Sequence, residues 1–132
     1  WGRIQFISSE SALNIPTEMV HYGVSKTALH GLSRGLARVL AGTGVTVNTV
    51  LPGPTRTEGA IQMMADLAAE RGVPVEEMEA LFLKENRPST LLHRFATPEE
   101  VANLSVYAAS PQASATTGAS LRVEGGIVES IV

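Results

Sequence analysis

Val45-Thr46-Val47-Asn48-Thr49-Val50-Leu51 is the strongest strand signal in the chain, and Pro52-Gly53-Pro54 stops it abruptly. What precedes it constrains the fold most. From about His21 to Ala41 the apolar residues Val24, Ala28, Leu29, Leu32, Leu36, Val39 and Leu40 recur at helical spacing, which predicts a helix with one buried stripe. Gly42-Thr43-Gly44 ends that helix, with Gly42 as a left-handed cap. Upstream, Arg3 to Ile7 reads as a short strand ending in Ser8-Ser9, and the polar stretch Ser9 to Val20 reads as a loop. Strands alternating with helices argue a parallel α/β sheet.

The remainder continues the alternation. Ala60 to Arg71 and Val75 to Glu85 read as two short helices split by Gly72 and Pro74. Thr97-Pro98-Glu99-Glu100 is a helix start, with a capping threonine, a first-turn proline and a glutamate three residues on. That helix should run to about Ala109, and Ser120 to Val123 is a last short strand before Gly125-Gly126. The 132 residues are the length of one domain, and 44% apolar with 17% charged residues reads as globular. A net charge of -3 disfavours nucleic acid or an anionic membrane as partner. Without cysteine there is no disulfide, iron–sulfur or thiolate zinc site. No apolar run is long enough for a membrane helix, and no residue run reads as a signal peptide, so a cytoplasmic location is expected. The chain starts at Trp1 almost inside a strand, so it is expected to be the C-terminal part of something longer.

Three features carry possible chemistry. Tyr22 and Lys26 stand four apart at a helix start and share a face, where an ammonium favours the phenolate form of the phenol. Ser9 lies just past a strand end, at the edge where α/β ligands sit. Asn48-x-x-x-Pro52-Gly53-x-x-x-Thr57 puts a rigid turn after a buried strand at that same edge. Each has a plain alternative: a helix-surface pair, a loop serine, a strand-ending turn. Ser9 with His21 or His93 lacks the Gly-x-Ser-x-Gly elbow of a hydrolase. His21 and His30 lack metal spacing and read as surface or interface residues, so no metal site is expected. Gly31-x-x-x-Gly35 reads as a point of close helix packing. Glu76, Glu77 and Glu79 read as a solvated face. Met63, Met64, Leu67, Met78, Leu81 and Phe82 read first as packing faces and second as the walls of an apolar substrate site.

Together, Gly2 to Ser9, Tyr22-Gly-Val-Ser-Lys26, Val47-Asn48-Thr-Val-Leu-Pro52-Gly53, Phe95-Ala-Thr-Pro98-Glu99-Glu100-Val101-Ala102 and Val123-Glu124-Gly125-Gly126 resemble the short-chain dehydrogenase/reductase family. The resemblance implies the C-terminal portion of a doubly wound, Rossmann-like fold over residues 1–132. It also implies hydride transfer between NAD or NADP and a small-molecule carbonyl or alcohol. By the same resemblance Tyr22 is the general acid/base, Lys26 tunes it and holds the nicotinamide ribose, and Ser9 orients the substrate oxygen. The turn with Pro52, Gly53, Thr55 and Thr57 contacts the nicotinamide side of the cofactor. Glu58 to Leu92 covers the substrate, and a homo-oligomer, dimer or tetramer, forms through the long helices.

The departures are as informative. The family's strand and glycine-rich pyrophosphate turn have no match, because Gly42-Thr43-Gly44 follows a helix and precedes a strand. The N-terminal dinucleotide-binding part is therefore expected to be absent from this segment. A non-enzymatic fragment, scaffold or binding subunit is the competing expectation. The isolated chain is expected to self-associate through its long helix, its Arg3–Ile7 edge or both, or to sit against its missing half, and to bind dinucleotide weakly or not at all.

Overall fold

In the computed structural model, which describes residues 1–131, three parallel strands form one sheet. Strand β1 is Gly2–Ile7, β2 is Val45–Pro52 and β3 is Ser120–Val123, in the order β1-β2-β3. Helix α1, Val20–Val39, connects the first pair, while α2 (Glu58–Arg71), α3 (Val75–Asn86) and α4 (Pro98–Ala109) lie between β2 and β3. The expected parallel α/β architecture is present, with element ends within two residues of those read from the sequence. Gly42 takes the left-handed conformation expected of it, at φ 78°.

β2 is the central strand, and Thr46 to Leu51 are all buried. The two faces are covered from opposite sides. Arg3 and Gln5, alternate residues of β1, reach the carbonyls of Ser110, which follows α4, and Ser105, within it, at 3.2 and 2.9 Å. Ser8, of the other parity, donates to the Lys26 carbonyl of α1 at 3.1 Å. Asn48 is buried in this strand as a structural group. Its Nδ2 donates to the Thr116 carbonyl and its Oδ1 accepts from the Ala119 amide, fixing the approach to β3.

Ser9 to Val20 is not plain loop: it holds two 3₁₀ turns, Glu10–Ala12 and Thr17–Met19. The first is capped by the Ser9 side chain, which accepts from the Ser11 amide. The apolar stripe of α1 is largely outward, with Val24, Leu32 and Val39 exposed, while Gly23, Ser33 and Ala37 face inward. Small residues let α1 lie close on the sheet, and periodicity identifies a shared face without saying what covers it. Gly31 and Gly35 allow no close packing within the chain, since a Cβ at either would meet nothing within 4 Å. His30 is half-buried rather than a surface residue, whereas His21 is exposed.

α2 and α3 form a cap with its own core: Met64, Ala68, Met78 and Leu83, closed by Phe95. The rings of Phe82 and Phe95 meet edge to face with centroids 5.8 Å apart. One bidentate ion pair ties α3 of the cap to the turn after β2, and a second joins the segment after the cap to α4. Arg56 donates to Glu79 at 2.9 and 3.0 Å, and Arg94 to Glu100 at 2.9 and 2.7 Å. Glu79 also accepts from the Phe95 amide at 2.8 Å, so it is a tether and not part of a solvated face. Partial burial pushes the Glu79 carboxyl up, but the bonds from Arg56 and the Phe95 amide outweigh that and hold it below its ordinary range. Glu100 completes the capping box of α4 with Thr97. Its bond from Arg94 and the Thr97 amide hold its carboxyl at about 2, against an ordinary 4.5.

A carboxyl whose folded value is depressed stabilises the fold fully above its unfolded value and loses that contribution as pH falls toward the folded one. Thermal melts should therefore lose stability between about pH 4.5 and about pH 2 through Glu100. Glu100→Gln should flatten that part of the profile, and 1 M salt should narrow the difference because the pair is exposed. Parallel acid profiles for the two proteins would remove Glu100 as the source.

Candidate functional site

Register brings the site together. Ile7 pairs with Val50, and Pro52 with Val123, so the segments after all three strands leave the sheet at one edge. There Gly53 passes the chain after β3 so closely that a Cβ would lie 2.7 Å from the Glu124 carbonyl oxygen. Glycine at 53 is therefore a packing requirement. The Glu124 carboxylate is buried and accepts from the Ile127 amide and, at 3.1 Å, the Val128 amide.

Ser9 starts the first 3₁₀ turn. Its hydroxyl donates to Glu10 Oε2 at 2.6 Å and accepts from the Ser11 amide at 3.1 Å, which fixes the rotamer. Glu10 Oε2 also accepts from the Ser11 amide at 2.8 Å, and Glu10 Oε1 accepts from Arg87 Nε at 2.6 Å. Arg87 follows α3, so a buried ion pair joins the serine turn to the cap; its two side chains are 4% and 7% exposed.

Tyr22 and Lys26 lie on one face of α1, with the ammonium 5.5 Å from the phenol ring centroid and donating to the Ile7 carbonyl at 3.2 Å. The serine turn reaches Tyr22 because Gly23 follows it. A Cβ at 23 would sit 2.6 Å from Ile15 Cγ2 and 2.9 Å from the Ser11 carbonyl oxygen. His30 braces the same corner: Nε2 is 3.0 Å from Ser8 Oγ and Nδ1 2.9 Å from Ser120 Oγ. Because the Ser8 proton goes to the Lys26 carbonyl, Ser8 accepts from His30 Nε2–H and Ser120 donates to Nδ1. Burial lowers the His30 imidazole below its ordinary value, in keeping with that neutral tautomer.

A cavity of about 240 Å³ opens where these parts meet. Ser9, Tyr22, Gly53 and Thr55 line it, with Glu10, Arg87, Met63, Phe82 and Phe95 among the walls. The other residues singled out from the sequence do not line it. Lys26 stands behind Tyr22, Pro52 is the last residue of β2, and Thr57 caps α2 by accepting from the Ala60 amide. Met63 and Phe82 serve as walls, while Met64 and Met78 are cap core. Glu10 and Arg87 escape sequence reading. The one signal was a carboxylate beside Ser9, and its partner lies 77 residues away.

Gly23→Ala tests the closeness of the turn. In a free helix the change would stabilise by about 1 kcal/mol. Here overpacking should dominate and cost about 1–3 kcal/mol in urea unfolding. A gain in stability would show that the serine turn yields.

Comparison with known proteins agrees with the fold. A family model described as Enoyl-(Acyl carrier protein) reductase matches residues 1–128. "Uncharacterized oxidoreductase YvaG" of Bacillus subtilis (strain 168) is 46% identical over 130 residues, 98% of this chain and 49% of that protein. D-beta-hydroxybutyrate dehydrogenase of Rhizobium meliloti (strain 1021) is 32% identical over 96% of this chain and 48% of its own length. The crystal structure of L-sorbose reductase from Gluconobacter frateurii, complexed with NADPH and L-sorbose, superposes with a TM-score of 0.90 at 28% identity, covering 98% of this chain and 48% of that one. The chain thus spans about half the length of the curated relatives it matches. With a family match over nearly its whole length and a parallel α/β edge that gathers the motif residues, the chain belongs to the short-chain dehydrogenase/reductase family.

Proposed function

We propose that residues 1–132 are the C-terminal, catalytic and substrate-binding part of a single Rossmann-like domain. In this reading the protein is an NAD- or NADP-dependent oxidoreductase that interconverts a small-molecule carbonyl and its alcohol. The observation that carries the reading is Ser9 and Tyr22 on one cavity at the sheet's C-terminal edge, with Lys26 on the tyrosine's helix face. The L-sorbose reductase neighbour, complexed with NADPH, supports a nicotinamide cofactor.

The residues present suit such a cofactor. The Lys26 ammonium has three protons, and its hydrogen bond to the Ile7 carbonyl uses one, leaving donors for ribose hydroxyls. Gly53, Pro54 and Thr55 line the cavity on the turn after β2, beside which a flat polar group would lie. Pro52 and Thr57 act by holding that turn: one ends β2, and the other starts α2. When bound, the nicotinamide supplies or takes the hydride. Tyr22 gives a proton to the substrate oxygen in reduction and takes it back in oxidation. Ser9 holds that oxygen. Its proton can turn from Glu10 to the substrate without orphaning the carboxylate, since Oε2 keeps the Ser11 amide and hydroxyl. The exposed apolar face of α1, with Val20, Val24, Leu32 and Val39, supports a homo-oligomer, dimer or tetramer, built on that helix.

The test uses a protein extended upstream by a dinucleotide-binding half. Tyr22→Phe should lower kcat by about 100- to 10,000-fold and leave dinucleotide affinity within about twofold. Retention of more than about a tenth of the activity would overturn the proton-transfer role. Lys26→Ala should weaken dinucleotide binding as well as turnover. Normal affinity in a titration would leave Lys26 as a helix-surface residue. A scaffold that has lost its cofactor would bind no dinucleotide even in the extended protein.

A further inference from the structure

The charges on the cavity wall bear on what can enter it. Among the described residues that line it, Arg87 is the one cation and Glu10 the one anion. They are spent on each other. Arg87 Nε donates to Glu10 Oε1 at 2.6 Å, its Nη1 donates to the Asn86 carbonyl at 2.7 Å, and the Glu18 carboxylate stands 3.7 Å from Nη1. Two carboxylates thus surround one guanidinium. The rest of the wall is mostly apolar, with Met19, Ala60, Met63, Phe82 and Phe95.

We propose that the Glu10–Arg87 pair restricts the site to uncharged, mainly apolar ketones and secondary alcohols, and excludes substrates that must bring a carboxylate into the cavity. The proposal rests on the oxidoreductase reading above. A neutral ketone asks for polar partners at one oxygen, which Ser9 and Tyr22 provide, and its carbon chain meets Met63, Phe82 and Phe95. A substrate anion would shed its water for a wall whose single cation is already compensated, and it would meet Glu10 as a like charge. Drawing Arg87 away from Glu10 to the anion would leave a buried carboxylate without its counter-charge.

Three probes of matched length test this in the upstream-extended protein: heptan-2-one, 6-oxoheptanoate and the methyl ester of that acid. The ketone and the ester should exceed the acid anion in kcat/KM by on the order of 100-fold. Discrimination of less than tenfold would overturn the proposal. Glu10→Gln leaves Arg87 uncompensated and should narrow the ratio at least tenfold through better use of the anion, and an unchanged ratio would place the discrimination elsewhere. Arg87→Gln leaves Glu10 uncompensated and should widen the ratio further, and an unchanged or narrower ratio would overturn the assignment to this pair. If Glu10→Gln does not melt cooperatively, the wild-type ratio and Arg87→Gln still decide. Calorimetric binding of heptan-2-one and 6-oxoheptanoate to Tyr22→Phe reads the charge preference without turnover. A dead wild-type enzyme that still binds the ketone at least tenfold more tightly would sink the proposed chemistry and keep the charge rule. Equal binding would sink the charge rule alone.

Discussion

The parallel pairing of β2 with a neighbour on each side is the constraint from which the site follows. β1 and β3 both run in its direction, so all three chains emerge from the sheet at one end. Every segment that bears on the cavity from the sheet is one of those exits: Ser9 after β1, Gly53 to Thr55 after β2, and Glu124, against which Gly53 packs, after β3. An antiparallel neighbour would send one exit to the far edge. Burial of β2 on both faces makes this arrangement firm, because neither face can slip to solvent without exposing Val47, Val50 and Leu51.

A second constraint is electrostatic and joins the sheet to its cap. Taking Glu10 and Arg87 out of water is costly, and such pairs are stable only when their remaining polar atoms are satisfied. Here the carboxylate accepts from the Ser9 hydroxyl, the Ser11 amide and hydroxyl, and the guanidinium. The same atoms that offset the desolvation also fix the Ser9 rotamer. Cap position and serine position are therefore linked through one carboxylate. The surface pair Arg56–Glu79 holds the other end of the cap, Arg94–Glu100 joins the next segment to α4, and both are far more open to water.

The exterior is as telling as the core. Val20, Val24, Leu32 and Val39 form an apolar face on α1, and β1 is a sheet edge whose last residue, Ile7, is exposed. Apolar faces and open edges of this kind are association surfaces. Gly31 and Gly35 lie on the same exposed helix with nothing against them, which fits a surface that a neighbour can approach closely. The chain spans half the length of its matched relatives, and both surfaces accord with the reading of a segment that packs against more protein.

The sequence by itself determined the order and type of the regular elements, since period, caps and breakers are local. The stop at Pro52-Gly53 and the box at Thr97 to Glu100 are examples. It also exposed the Tyr22–Lys26 pairing, because four residues on a helix is a local relation. What it could not determine were relations across the chain. The inward face of α1 turned out to be glycine, serine and alanine, because close packing on the sheet rewards small size over hydrophobicity. Glu79 became a tether only once Arg56 and Phe95 folded beside it. Glu10 and Arg87, the only charges lining the cavity among the described residues, meet across 77 positions. No periodicity encodes that contact, and only the burial of both groups in one place makes them a pair.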